Sequence, residues 1–116
     1  MANLLNRWLP SRRWRVTATA RSVNDVPERL RRRTAVLVGA ADRPKWLVFD
    51  CPCRVRHRVV LNLVPANYPA WTVHSHRPLT VIPSIDEHGP DRRCHYVISA
   101  GRIRWVPSPR QGAGTR

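Results

Sequence analysis

Short β-type runs broken by turn residues occupy most of the chain from residue 34 onward. Thr34-Ala35-Val36-Leu37-Val38 ends at Gly39, and Trp46-Leu47-Val48-Phe49 follows Pro44 and runs into Cys51-Pro52-Cys53. Val55, His57, Val59, Leu61 and Leu63 are mostly apolar at alternate positions, while Arg54, Arg56, Arg58 and Asn62 hold the other phase, the pattern of a half-buried strand. Ala70-Trp71-Thr72-Val73 and Leu79-Thr80-Val81-Ile82 predict two more strands, with Pro78 and Pro83 breaking the chain at their edges. His95-Tyr96-Val97-Ile98, a turn at Ala100-Gly101, and Ile103-Arg104-Trp105-Val106 predict a closing hairpin.

Before residue 34 the pattern differs. Leu4, Leu5, Trp8 and Leu9 recur at helix-like intervals ahead of Pro10, and an Arg/Trp cluster follows, so residues 1–22 read as a basic arm with room for a short helix. Pro27, at a first helical position, allows one short turn over Glu28 to Arg33. After Pro107 the composition is that of a disordered end, residues 107–116. The expected object is one mainly β domain over residues 23–106, a small antiparallel arrangement of about six or seven short strands with little helix. At 116 residues its core alone would be marginal, so a metal or a partner surface would help it.

Charge narrows the partners. There are 21 Lys+Arg against 7 Asp+Glu, a formal net charge of +14, and Lys45 is the single lysine. Arginine forks suit phosphates and carboxylates, so nucleic acid, a membrane surface or an acidic protein would fit, while the bland alternative is that the charge serves only solubility. Ser11-Arg12-Arg13-Trp14 has a twin-arginine look, but Val16-Thr17-Ala18-Thr19-Ala20 is too short and polar for an export signal, and no run has the apolar length of a membrane span. Three cysteines, two of them only two residues apart, disfavour a secreted disulfide scaffold. The expected compartment is the cytoplasm, where thiols stay reduced and free to bind metal.

Zinc takes four ligands in a tetrahedron and suits thiolate and imidazole donors. Cys51 and Cys53 could supply two ligands from one turn, Cys94 a third and a histidine the fourth; the bland alternative is that these are plain core cysteines. His95 adjoins Cys94, and neighbours on a regular strand point to opposite faces, so both reach one ion only if the strand begins or bends there. His57, four residues past Cys53, reaches the region without that difficulty. His74, His76 and His88 lie in turn-rich stretches and read as solvated. A second chemistry is nucleophilic: Ser84 in Pro83-Ser84-Ile85-Asp86 has His57, His95 and Asp86 available as base and orienting carboxylate. A serine in such a turn more often makes only local hydrogen bonds.

Three segments taken together resemble a family of small bacterial domains encoded beside ubiquitin-like proteins and their activating and conjugating enzymes. They are WLVFDCPCRVRHRVVLNL from Trp46, PANYPAWTVHSHRPLTVIPSI from Pro65 and CHYVISAGRIRWV from Cys94, and Val26-Pro27-Glu28-Arg29-Leu30 is similar to the family's N-terminal stretch. The resemblance spans about residues 23–106. It implies a zinc-binding domain of a bacterial ubiquitin-like conjugation pathway, with a peptidase or deconjugase role. On this basis the ubiquitin-like protein or its conjugating enzymes are the partners. Position by position, Cys51 and Cys53 match the knuckle, Ser84 the serine of the PSI turn, and His95 the histidine before the aromatic residue. Cys94 departs from the family pattern, standing where serine is usual, while Arg92 takes the family's cysteine position. The resemblance favours His95 as the histidine of the set; with the thiolate ligand moved by two positions to Cys94 the expected zinc ligands are Cys51, Cys53, Cys94 and His95, the alternative being a degenerate metal site. The readings set against it are an Arg-rich zinc module that binds nucleic acid, with Trp8, Trp14 or Trp71 stacking on bases, and a non-catalytic adaptor.

Overall fold

Thr34–Ala40 pairs antiparallel with Arg43–Asp50 across a tight turn at Ala41 and Asp42, and this hairpin is the centre of the first of two four-stranded sheets. In the computed structural model, which describes residues 12–90 and 92–107, the strands are β1 (Arg15–Ala20), β2 (Thr34–Ala40), β3 (Arg43–Asp50), β4 (Arg58–Asn62), β5 (Thr72–His76), β6 (Leu79–His88), β7 (Arg93–Ser99) and β8 (Arg102–Trp105). The first sheet runs β1-β2-β3-β4 and the second β5-β6-β7-β8. All strand pairs are antiparallel except β1 with β2.

The mainly β expectation holds, with one strand more than the six or seven predicted. The extra strand is β1, formed by residues that the polar alternation of Val16 to Ala20 left in the basic arm. Trp14 and Val16 are buried, and the Trp14 backbone joins the second sheet, its N–H donating to Gly101 and its carbonyl accepting from Leu79. Tertiary hydrogen bonds thus order a segment with little apolar content of its own. The helix-like pattern of Leu4 to Leu9 lies outside the described residues, as does the tail from residue 108. No helical turn follows Pro27; a single 3-10 turn at Val23–Asp25 stands earlier, capped by the Ser22 hydroxyl, which accepts from the Asn24 N–H.

Inward-facing residues of both sheets form one core: Leu37, Leu47, Phe49, Val59 and Leu61 from the first, Leu79, Val81, Ile85, Tyr96 and Ile98 from the second. Each large aliphatic side chain contributes about 1.5–3 kcal/mol by leaving water. The opposite face of β2 and β3 is also covered, since Val36, Val38 and Val48 pack with Val26 and Leu30 of the segment that precedes β2. Burial on both faces explains why Ala35 to Val38 and Leu47 to Phe49 are continuous apolar runs and not alternating ones.

The predicted strand over Val55 to Leu63 begins only at Arg58. Residues 51–57 instead fold back as a knuckle, closed by the Cys51 N–H donating to the His57 carbonyl at 2.8 Å and the Arg56 N–H to the Cys53 carbonyl at 3.2 Å. Arg56 adopts φ 58° inside it. No helix among the described residues is long and apolar enough to cross a membrane.

Candidate functional site

Two side-chain constellations stand on opposite faces of β7. The first begins at Asp50, the last residue of β3, whose carboxylate is buried and accepts from the Leu30 N–H and from Arg58 Nε, both at 3.0 Å. The Arg58 guanidinium also donates to the Pro27 and Glu28 carbonyls, and that of Arg56 to the Leu30 carbonyl. These bonds tie the base of the knuckle to the segment ahead of β2, so the cysteines that follow Asp50 leave the sheet in a set direction.

Cys51 is 1 % exposed, Cys53 is half-buried, and Cys94 comes in from the core face of β7, opposite Glu87 of β6. With His57 they bring one donor atom each to within 4.8 Å of one another, and Cys53 Sγ lies 3.4 Å from His57 Nδ1. Tetrahedral zinc, with Zn–S near about 2.3 Å, needs its donors about 3.8 Å apart, so the set fits a Cys3His centre after small shifts. His57 Nε2 lies 3.9 Å from Glu87 Oε1, so the ring can ligate through Nδ1 while a carboxylate faces its other nitrogen, a common support for metal-bound histidine.

The thiols differ in acidity. Burial pushes Cys51 up to about 12 and also raises Cys94. For Cys53 burial acts upward too, but hydrogen bonds from the Arg56 backbone, the Cys51 thiol and the His57 and Val55 backbones outweigh it and bring the thiol down to about 6. A thiolate is therefore already favoured at one corner, and a metal cation would supply the charge that the other two lack.

Among the described residues the histidine gathered with the three thiols is His57, and His95, the expected fourth ligand, lies elsewhere. Cys94 and His95 are consecutive on a regular stretch of β7, paired with Glu87 and Asp86, so their side chains emerge on opposite faces. Bending of the strand, the condition for both to reach one ion, does not occur there.

His95 instead belongs to the second constellation. Its Nε2 is 3.1 Å from Ser84 Oγ. Ser84 reaches it through an irregularity of β6: Val81 pairs with Ile98 and the next pair is Ile85 with Tyr96, so four steps on β6 face two on β7. Residues 82–84 bulge outward, and Trp71 Nε1 donates to the Ser84 carbonyl at 3.1 Å, holding the bulge from β5. His95 Nδ1 is buried and makes no hydrogen bond among the described residues. Asp86, the cross-strand neighbour of His95, is already engaged: Arg93 grips both its oxygens at 2.9 and 2.8 Å, and His88 Nε2 lies 3.1 Å from Oδ1. The side-chain hydrogen bond to Arg93 holds the Asp86 carboxyl down at about 2. The pair is thus a Ser–His dyad without a carboxylate bonded to Nδ1.

Of the histidines expected to be solvated, His74, His76 and His88 are exposed. The tryptophans proposed for stacking are placed otherwise: Trp14 is buried edge-on to Phe49 with ring centroids 5.5 Å apart, Trp71 is half-buried on its bond to Ser84, and Trp8 lies outside the described residues.

Comparison with curated proteins and with solved structures yields no match. A family model described as the bacterial ubiquitination-like system serine protease BubE matches residues 22–106, a span that holds the knuckle, the bulge and β7. The chain belongs to the BubE family of bacterial ubiquitination-like systems.

Proposed function

We propose that this protein is a serine peptidase of a bacterial ubiquitin-like pathway, with Ser84 as nucleophile and His95 as general base. The observation that carries it is the 3.1 Å contact between Ser84 Oγ and His95 Nε2 on the outer face of the second sheet, in a family described by its serine protease activity. In this reading Ser84 Oγ attacks the scissile carbonyl while its proton passes to Nε2. The imidazolium then gives that proton to the departing amine, which leaves an acyl-serine. Water repeats the sequence, losing a proton to Nε2 and freeing the carboxyl product and the hydroxyl. The bulge supplies the exposure a nucleophile needs, and the Trp71 bond restrains it.

Cys51, Cys53, His57 and Cys94 would hold zinc in a closed four-donor set, which supplies a structural cross-link and no open position for water. That cross-link joins the knuckle to β7 next to His95, so the clamp supports the dyad from the opposite face of the strand. The substrate proposed is the ubiquitin-like protein of the pathway, as a precursor with a C-terminal extension or as a conjugate.

The test is incubation of the purified protein with the cognate precursor and conjugates, followed by mass analysis. Cleavage that disappears in Ser84→Ala and in His95→Gln supports the reading. Cleavage that survives in Ser84→Ala, or none by a folded wild-type protein, overturns it.

A further inference from the structure

A second concave surface lies away from the dyad. A cavity of about 650 Å³ opens between the start of β1, the turn before β2, the knuckle and the β7–β8 hairpin. Arg12, Arg32, Arg33, Arg54 and Arg102 line it, drawn from four separate parts of the chain. Unlike Arg56 and Arg58, these five side chains make no hydrogen bond or ion pair among the described residues. The one carboxylate in the lining, Asp50, is turned inward to Arg58 and the Leu30 N–H. Five guanidinium groups converge on one space, while the acidic groups of the lining, Asp50 and the Cys53 thiol, face Arg58 and His57 instead, so the surface favours the entry of an anion.

The chain has no acidic segment of its own to fill it. Residues 1–11 and 108–116 contain no Asp or Glu, and the acids elsewhere are scattered. The wall offers no open aromatic face either: Trp14, the aromatic residue of the lining, is 7 % exposed with its ring edge-on to Phe49. Single-stranded nucleic acid is gripped by stacking as well as charge, and a duplex meets a protruding element rather than a cavity of this size. Arginine forks in a concave site of peptide-scale volume suit carboxylates.

We propose that this arginine-lined groove is a docking site for an acidic peptide segment of a partner protein. It shares no residue with the Ser84–His95 pair, and the proposal does not rest on the peptidase reading.

The test is fluorescence anisotropy with the full, zinc-loaded chain carrying Ser84→Ala, using a labelled hexaglutamate peptide and, in parallel, a labelled oligothymidylate. The expected result is saturable peptide binding that weakens steeply with salt. Reversing two groove charges, Arg32→Glu with Arg102→Glu, weakens it by roughly tenfold, whereas Arg29→Glu with Arg43→Glu, the same charge change away from the groove, leaves it nearly unchanged. Circular dichroism confirms folding, and Arg32→Gln with Arg102→Gln provides a milder pair that must shift affinity in the same direction. Absence of peptide binding, equal weakening by groove and control pairs, or oligothymidylate binding at least as tightly as the peptide overturns the proposal.

Discussion

Cys94 and His95 are consecutive residues of β7, yet Cys94 faces the thiols of the knuckle and His95 faces Ser84 across the other side of the sheet. One strand thus carries, on its two faces, the thiol proposed as a metal donor and the imidazole proposed as a base. The first two predictions separate the two roles.

Removing the Ser84 hydroxyl is expected to leave the fold intact. Ser84 is half-buried and among the described residues its hydroxyl bonds only to His95, so Ser84→Ala is expected to shift stability by no more than about 1 kcal/mol. Labelling by a fluorophosphonate probe, read by intact mass, is expected for the wild type and absent in Ser84→Ala. Labelling of Ser84→Ala at another serine would sink the assignment.

Metal content assigns the histidine. Elemental analysis of the purified chain is expected to give about one zinc per molecule, and about the same for His95→Ala. Cys51→Ser and Cys94→Ser are expected to lose the metal, and His57→Ala to retain it only weakly, with a lowered melting temperature in each case. A full zinc complement in His57→Ala together with loss in His95→Ala would reverse the assignment.

Asp50 anchors the knuckle, and its replacement is expected to be costly. Asp50→Asn leaves the Arg58 guanidinium and the Leu30 N–H without their charged acceptor in a buried position, a loss of about 2–4 kcal/mol in urea unfolding. Arg58→Lys keeps the charge but loses the fork that joins Asp50 to the Pro27 and Glu28 carbonyls, and a smaller loss in the same direction is expected.

Acid weakens the Asp86–Arg93 pair in a defined window. Arg93 lowers the folded pKa of Asp86 to about 2, below the unfolded value of about 3.9, so the stabilisation is complete above roughly pH 4 and is lost as pH falls toward 2. The stability difference between wild type and Asp86→Asn, from urea midpoints on metal-free protein, is expected to shrink across that window. A difference independent of pH there would show that the pair contributes nothing through charge.

Much of the fold follows from local pattern. Turn residues and short apolar runs bound β2, β3 and the β7–β8 hairpin, because alternation and breakers report directly on which residues a strand can bury. Strand β1 escaped that reading: Thr17, Ala18 and Thr19 are exposed, and the segment is held by backbone bonds to distant residues. Strand β4 starts later than the alternation predicts for a related reason, since Val55 and His57 continue the alternating pattern although they belong to the knuckle, with Val55 59 % exposed.

The sequence by itself determined the inventory: three thiols, a serine in a PSI turn, two histidines able to serve them, and an arginine excess seeking an anion. Only the tertiary structure decided which histidine lies beside which group. Spacing along the chain constrains neighbours within a turn or two, but the face on which a β7 side chain emerges depends on its register with β6. The bulge over residues 82–84 turns Ser84 toward His95, and the return of the chain at residues 51–57 carries His57 to the thiols. The bulge follows from long-range pairing of β6 with β7, whereas the knuckle closes through bonds inside CPCRVRHRVV, which read alone does not show that β7 brings Cys94 to it.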